Sequence, residues 1–273
     1  MSKQKTPDLR SHFGFVKVPF TREIDTRDRW AHPQYDNATL ALRDAVEKRQ
    51  SACLIAPAGT GKTMVLRTLR ERLPEARFRT HYIKVTDLSK RDFCRELCQA
   101  VGAPPAATYG SLVRRFQDHM TVLVDQDSLR PVIIIDEAHD MRPDVLAVLR
   151  VLTNFEMDAK LVVSIVLCGQ PPLRRLLRRG DMDAVSRRIV YYATLRTLGR
   201  DETPDYVRHR LHVAGCDGDP FEPEAYDAIF EASQGNLRAV DRLCLRALDV
   251  ACDDAAANVT ADHVVLARKT VWP

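Results

Sequence analysis

Lys62, Thr63, Asp136 and Glu137 are the residues whose types and spacing carry the clearest chemistry. Lys62 and Thr63 close the run ACLIAPAGTGKT at positions 52–63. Glycines at 59 and 61 let the backbone of Ala58, Gly59, Thr60 and Gly61 turn its N–H groups inward around phosphates, at the positive end of a following helix. In such a loop Lys62 would reach the β and γ phosphates of a nucleotide, and the Thr63 hydroxyl would bind Mg²⁺. The strict pattern G-x-x-x-x-G-K-[ST] asks for glycine where this chain has Ala56. Alanine is the smallest step up, and it is tolerable provided the backbone keeps φ negative there.

The second half of such a site is Val132-Ile133-Ile134-Ile135-Asp136-Glu137. Four aliphatics make a buried central strand, and two carboxylates stand at its C-terminal end, where open α/β sheets bind ligands. Asp136 would hold Mg²⁺ through water, and Glu137 would orient and polarise an attacking water. The alternative is that the two only cap the next helix. Asp136-Glu137-Ala138-His139 also spells a helicase box, but that class needs two motor domains and the chain has room for one. His139 therefore reads as a structural residue at a helix start.

These residues need a frame to position them. Candidate strands at 52–56, 81–85, 131–136, 161–168 and 189–193 alternate with helical patterns, which predicts an α/β fold with a parallel sheet and helices on both faces. Met64, Leu66, Leu69 and Leu73 mark a helix that Pro74 stops, and 144–155 reads as a second helix with Asp144 near its start. After about residue 196 the strands cease, and helices are expected at 201–214, 222–233, 236–252 and 260–270. The expected domains are an N-terminal segment packing on the core (1–30), an α/β nucleotide-binding domain (31–196) and a small helical lid (197–273).

With 45% hydrophobic and 29% charged residues, composition is that of an ordinary soluble globular protein. Net charge is only +4, yet arginine far outnumbers lysine, which suits phosphate and carboxylate recognition or reflects a compositional bias of the source. Seven scattered cysteines lie mostly in apolar runs and lack a second Cys/His pair at zinc spacing, so they read as reduced, buried thiols. No signal-peptide core or membrane-length apolar run occurs, and a cytoplasmic protein with no membrane partner is expected.

The loop, the DEAH-bearing strand, Val166-Leu167-Cys168-Gly169-Gln170-Pro171, Arg187-Arg188-Ile189 and Gly235-Asn236-Leu237-Arg238 together resemble an AAA+ ATPase with its P-loop domain and helical lid. Phe13-Gly14-Phe15-Val16-Lys17-Val18-Pro19-Phe20, Tyr206-Val207-Arg208-His209-Arg210-Leu211 and Ala214-Gly215 are similar to one branch of it. That branch holds ExeA-type secretion ATPases and the ATP-binding partners of DNA transposases: TniB, TnsC, phage Mu B protein and IstB. The likeness spans roughly residues 10–270.

The resemblance implies ATP and Mg²⁺ as cofactors and ATP hydrolysis as the activity. It places Gln170 as a sensor beside the γ-phosphate, although Gly169 and Pro171 also make a strand-terminating turn there. Arg188, or else Arg187, matches an arginine finger offered in trans, which implies a homo-oligomer. A solvated basic turn is the other reading, because 173–188 carries six arginines against two aspartates. Arg238 matches a second sensor on the lid or makes a surface ion pair. Phe13, Phe15 and Phe20 line an adenine pocket or clasp the core.

For the output, the resemblance implies a regulator of DNA transposition. It would assemble with ATP as a ring or filament on double-stranded target DNA, recruit a transposase, and disassemble on hydrolysis. Lys90, Arg91, Arg114 and Arg115 are the candidate phosphate contacts, unless they are merely exposed helix charges. Secretion ATPases of the ExeA type add a membrane segment and a cell-wall-binding domain after the motor, whereas here Trp272-Pro273 follow the last expected helix, which favours transposition as the expectation. An ExeA-like switch acting on a protein partner without DNA is the alternative, and a clamp or helicase loader is a third.

Overall fold

A computed structural model describes residues 8–85, 87–157 and 159–271. Internal contacts divide the chain into two units. One comprises 32–58 and 62–195; the other takes in the segment up to Ala31, loop residues Gly59–Gly61, and the chain from Arg196 onward.

The first unit is an α/β layer built on five strands: β1 (Ser51–Ile55), β2 (Phe78–Lys84), β3 (Arg130–Asp136), β4 (Ser164–Gly169) and β5 (Ile189–Thr194). All pairings are parallel, in the order β2-β3-β4-β1-β5. Residues of β1 and β4 are buried on both faces, as interior strands of a parallel sheet must be. The edge strands are more open: β5 alternates buried and open positions, and β2 buries only Phe78 and Ile83. Cys53, Ile55, Ile133, Ile135, Ile165 and Leu167 share one core cluster with Phe93, Leu97, Leu112, Phe116 and Leu149. Fully burying each such aliphatic is worth about 1.5–3 kcal/mol, so the sheet is pinned where its C-terminal edge must be rigid.

Several boundaries differ from expectation. β4 begins at Ser164, not 161, because its neighbours start late: Val132 pairs with Ser164, and the Ile165 N–H already meets the Ser51 hydroxyl at 3.0 Å. Residues 144–155 do not form one helix. Pro143–Leu146 and Val148–Leu152 are separate short helices joined at Ala147, whose ψ of −21° is that of a 3₁₀ turn. The helix Pro33–Glu47, not among the expected elements, opens with Pro33 at its first position and buries Tyr35, Ala38, Thr39, Leu42, Ala45 and Val46.

The second unit packs helices Glu202–Val213, Pro223–Ser233, Leu237–Asp253 and Ala261–Val271 around Val207, Leu211, Ile229, Val240, Leu243 and Leu248. Phe15 and Phe20 are 5% and 4% exposed and belong to this helical core, with Phe13 packed against it, so their rings serve packing there. Inside it lies an ion pair. Arg210, 4% exposed, donates to both oxygens of Asp241 at 2.9 and 3.1 Å and to the Thr21 carbonyl at 2.7 Å; the Tyr206 hydroxyl also donates to Asp241, at 2.9 Å.

Candidate functional site

The parallel sheet delivers the ends of β1, β3 and β4 to one edge. Ile55 pairs with Gly169, Lys84 pairs with Asp136, and the Ala56 N–H extends the ladder by donating to the Gly169 carbonyl at 3.0 Å. Ala56 is fully buried and lies outside the left-handed region, which in this loop is taken by Gly59 (φ 74°) and Gly61 (φ 94°). The condition on the non-glycine position is therefore met. Lys62 opens the helix Lys62–Arg72, and its ammonium donates to the carbonyls of Ala56 and Pro57 at 3.2 and 3.1 Å. Thr60 is buried and Thr63 is exposed. An anion seated at this helix start meets backbone N–H groups, the helix dipole and the Lys62 charge together.

Asp136 is 4% exposed and held at both oxygens. Oδ1 accepts the Glu137 N–H at 2.8 Å, and Oδ2 accepts the Tyr82 hydroxyl at 2.9 Å. Burial, and then the Asp136 charge, push the Tyr82 phenol upward. The same two causes raise the Cys168 thiol. Burial pushes Cys53, in β1, up to about 12. Tyr82 escaped the sequence reading: it sits on β2 opposite Ile134, two positions before the Asp136 pairing, and only strand register reveals the contact.

Glu137 leaves β3 in the left-handed region (φ 55°, ψ 32°), an uncommon conformation for a non-glycine residue, and enters a single 3₁₀ turn, Ala138–Asp140. Its Oε2 is buried without a hydrogen-bond partner. Gln170 follows Gly169 at the end of β4, half-buried, with its amide nitrogen 2.7 Å from Nε2 of His139. His139, expected as a structural residue at a helix start, lies in that turn and beside Gln170.

This donor set fits a nucleotide with Mg²⁺: a glycine-turned loop with an ammonium above it, a hydroxyl at Thr63, a carboxylate at Asp136, and an orphaned carboxylate oxygen on Glu137. Mg²⁺ keeps several waters and takes few protein ligands beside substrate phosphates, so no larger cluster is required.

Arg187 and Arg188 lie apart from these residues. Arg188 precedes Ile189, which pairs with Ser51 at the start of β1, so it stands at the opposite edge of the sheet from the loop. Its guanidinium donates to the Ala184 carbonyl at 3.0 Å and lines a shallow cavity of about 390 Å³ with Gln117, Arg150, Val151 and Asn154. Arg187 is exposed, 3.9 Å from Asp183. In the helical unit, Asn236 caps Leu237–Asp253, Arg238 is exposed, and the Arg238 N–H donates to the Gly59 carbonyl at 3.2 Å.

Lys90 and Arg91 begin the helix Lys90–Val101, with Lys90 3.7 Å from Asp144. Arg114 and Arg115 lie on Tyr109–Asp125, beside a groove of about 570 Å³ that also contains Asp118 and His119. The two basic pairs lie on different helices.

Among the described residues no helix is long and apolar enough to cross a membrane. Residues 44–177 match the family model described as AAA domain. General secretion pathway protein A of Aeromonas hydrophila is 30% identical over 262 residues, covering 95% of this chain and 48% of that protein, so the chain spans about half the length of this relative. Among solved structures, Cdc6p from Pyrobaculum aerophilum superposes with a TM-score of 0.69 at 17% identity, over 96% of this chain and 71% of that one. The Aeropyrum pernix ORC1 protein, solved in complex with DNA, gives 0.68 at 17% identity, over 94% and 70%. Loop, acidic strand and family match agree: residues 44–177 match the AAA domain and contain the phosphate loop and both carboxylates.

Proposed function

We propose that the chain is a Mg²⁺-dependent ATP switch that assembles with copies of itself and hydrolyses ATP within the assembly. The observation that carries this reading is the placement of Arg188 at the sheet edge opposite Lys62, where it is out of reach of its own loop. Five residue steps of β5 at about 3.3 Å each separate the two edges. An arginine so placed serves a neighbouring subunit's phosphates, adding positive charge where the transferring phosphoryl group spreads negative charge.

Bound Mg²⁺ and ATP supply the reactive γ-phosphoryl group and offset its charge. Lys62 and the N–H groups of Ala58 to Gly61 hold the phosphates, while Thr63 and Asp136 hold the metal. Glu137 accepts the proton of the attacking water, Gln170 fixes that water, and Arg238 senses the nucleotide from the helical unit. Sedimentation with a non-hydrolysable ATP analogue tests assembly: nucleotide-dependent oligomers are expected, and a monomer at every protein concentration would refute the switch.

For the output, a protein partner has the broader support, because the 30% identity to general secretion pathway protein A runs along 95% of the chain. Regulation of DNA transposition is the second reading. It is supported by the sequence resemblance, by the exposed Lys90, Arg91, Arg114 and Arg115, and by the fold likeness to ORC1, which was solved with DNA. Adding random duplex DNA to the same experiment separates them. Assembly that requires DNA and weakens steeply with salt supports transposition; assembly indifferent to DNA supports the protein partner.

A further inference from the structure

Three side chains at the sheet edge form a chain that neither the phosphate loop nor the Mg²⁺ site requires. The Gln170 amide nitrogen is 2.7 Å from His139 Nε2. An amide nitrogen only donates, so Nε2 accepts, and the proton of the neutral imidazole sits on Nδ1. Nδ1 in turn faces Glu137 Oε2 at 3.5 Å, and both atoms are buried without a hydrogen-bond partner. Asp140 Oδ1 lies 3.6 Å from Nε2, beyond hydrogen-bond range.

Packing fixes the ring in place. The His139 side chain is only 10% exposed, and a Cβ on Gly169 would come within 3.1 Å of the His139 backbone nitrogen, so glycine at the end of β4 is what lets this turn approach. From a left-handed backbone, the Glu137 carboxylate comes within 3.5 Å of the ring.

We propose that His139 is a positioning residue: held as the Nδ1–H tautomer by Gln170, it steers the Glu137 carboxylate and makes the geometry of Glu137 depend on that of Gln170. This rests on the reading of Glu137 as the base and Gln170 as the water-fixing amide. When Oε2 swings the short distance to Nδ1–H, the carboxylate is fixed at one oxygen and its other oxygen is left for water. A change at Gln170 then reaches Glu137 through the ring.

The test is steady-state turnover and nucleotide affinity of the full chain with His139→Ala, Gln170→Ala and the double variant. His139→Ala is expected to lower kcat about tenfold with nucleotide Kd within twofold, and the double variant to be no slower than the slower single one. Non-additivity of that kind marks residues acting as a unit. His139→Asn, whose amide places a donor near the Nδ1 position, is expected to recover part of kcat; if the alanine variant fails to bind nucleotide, the asparagine variant is read in its place. Normal kcat without the ring, or losses that multiply in the double variant, would overturn the proposal. Glu137→Gln is the reference: if it hydrolyses ATP normally, the assignment of the base is what fails, whereas an inactive Glu137→Gln beside a fully active His139→Ala removes only the role of His139.

Discussion

The Tyr82 hydroxyl donates to Oδ2 of Asp136 at 2.9 Å, while Oδ1 of the same carboxylate accepts the Glu137 N–H. A carboxylate fixed at both oxygens presents its remaining lone pairs in set directions, which a metal-bound water can use. Tyr82→Phe removes one fixed point and leaves the strand intact. A hydrogen bond to a charged group contributes about 1.5 kcal/mol or more, so the half-saturating Mg²⁺ concentration for turnover is expected to rise roughly tenfold. Metal-free nucleotide binding should be unchanged, and a Mg²⁺ titration of the variant checks both.

Lys62→Ala should abolish ATP binding, and Glu137→Gln should keep ATP while losing hydrolysis by at least about a hundredfold. The second variant is expected to accumulate as the assembled state in sedimentation with ATP. Disassembly at the normal rate would mean that hydrolysis is not what releases the subunits.

Arg188→Ala should spare ATP binding and the low turnover of dilute protein, yet remove the rise in specific activity with protein concentration. Activity measured across a dilution series is the check. An unchanged concentration dependence assigns Arg188 to the solvated basic turn instead.

In the helical unit, Asp241→Asn leaves the buried Arg210 charge without its counter-ion. Loss of one partner of a buried pair costs about 3 kcal/mol or more, which chemical denaturation would read as a lower midpoint. Replacing Arg210 and Asp241 together by apolar residues should cost less than the single change, because no charge is then stranded.

All seven cysteines are buried. With burial holding Cys53 up to about 12, only about one molecule in ten thousand carries its thiolate at pH 8. Alkylation of native protein at that pH should leave Cys53 untouched, and denaturant should open all seven to the reagent. Rapid native labelling of Cys53 would show that β1 opens.

The strands and the four helices after residue 196 were legible because each is a contiguous apolar pattern, and the loop and both carboxylates because each is a contiguous motif. What was not legible depends on register. Tyr82 meets Asp136 only because Phe78 pairs with Arg130 and the ladder then runs in step to Lys84 and Asp136. Gln170 meets His139 only because β4 lies beside β3 and ends in a glycine that admits the turn. The break at Ala147 was hidden for a different reason: apolar spacing reports which face is buried, not whether ψ stays helical through every residue.

The order of the sheet also dictates a history for each molecule as it is made. β1 leads into the phosphate loop, yet it pairs with β4 and β5; its Ser51 hydroxyl waits for the Ile165 N–H, 114 positions later. A ribosome has therefore extruded the loop, the acidic strand and the helices between them before β1 finds either neighbour. At about 5–20 residues per second, that apolar strand stays unpaired for several seconds of synthesis, so the segment from Ser51 to Ile55 is where a nascent chain most needs shielding by a chaperone.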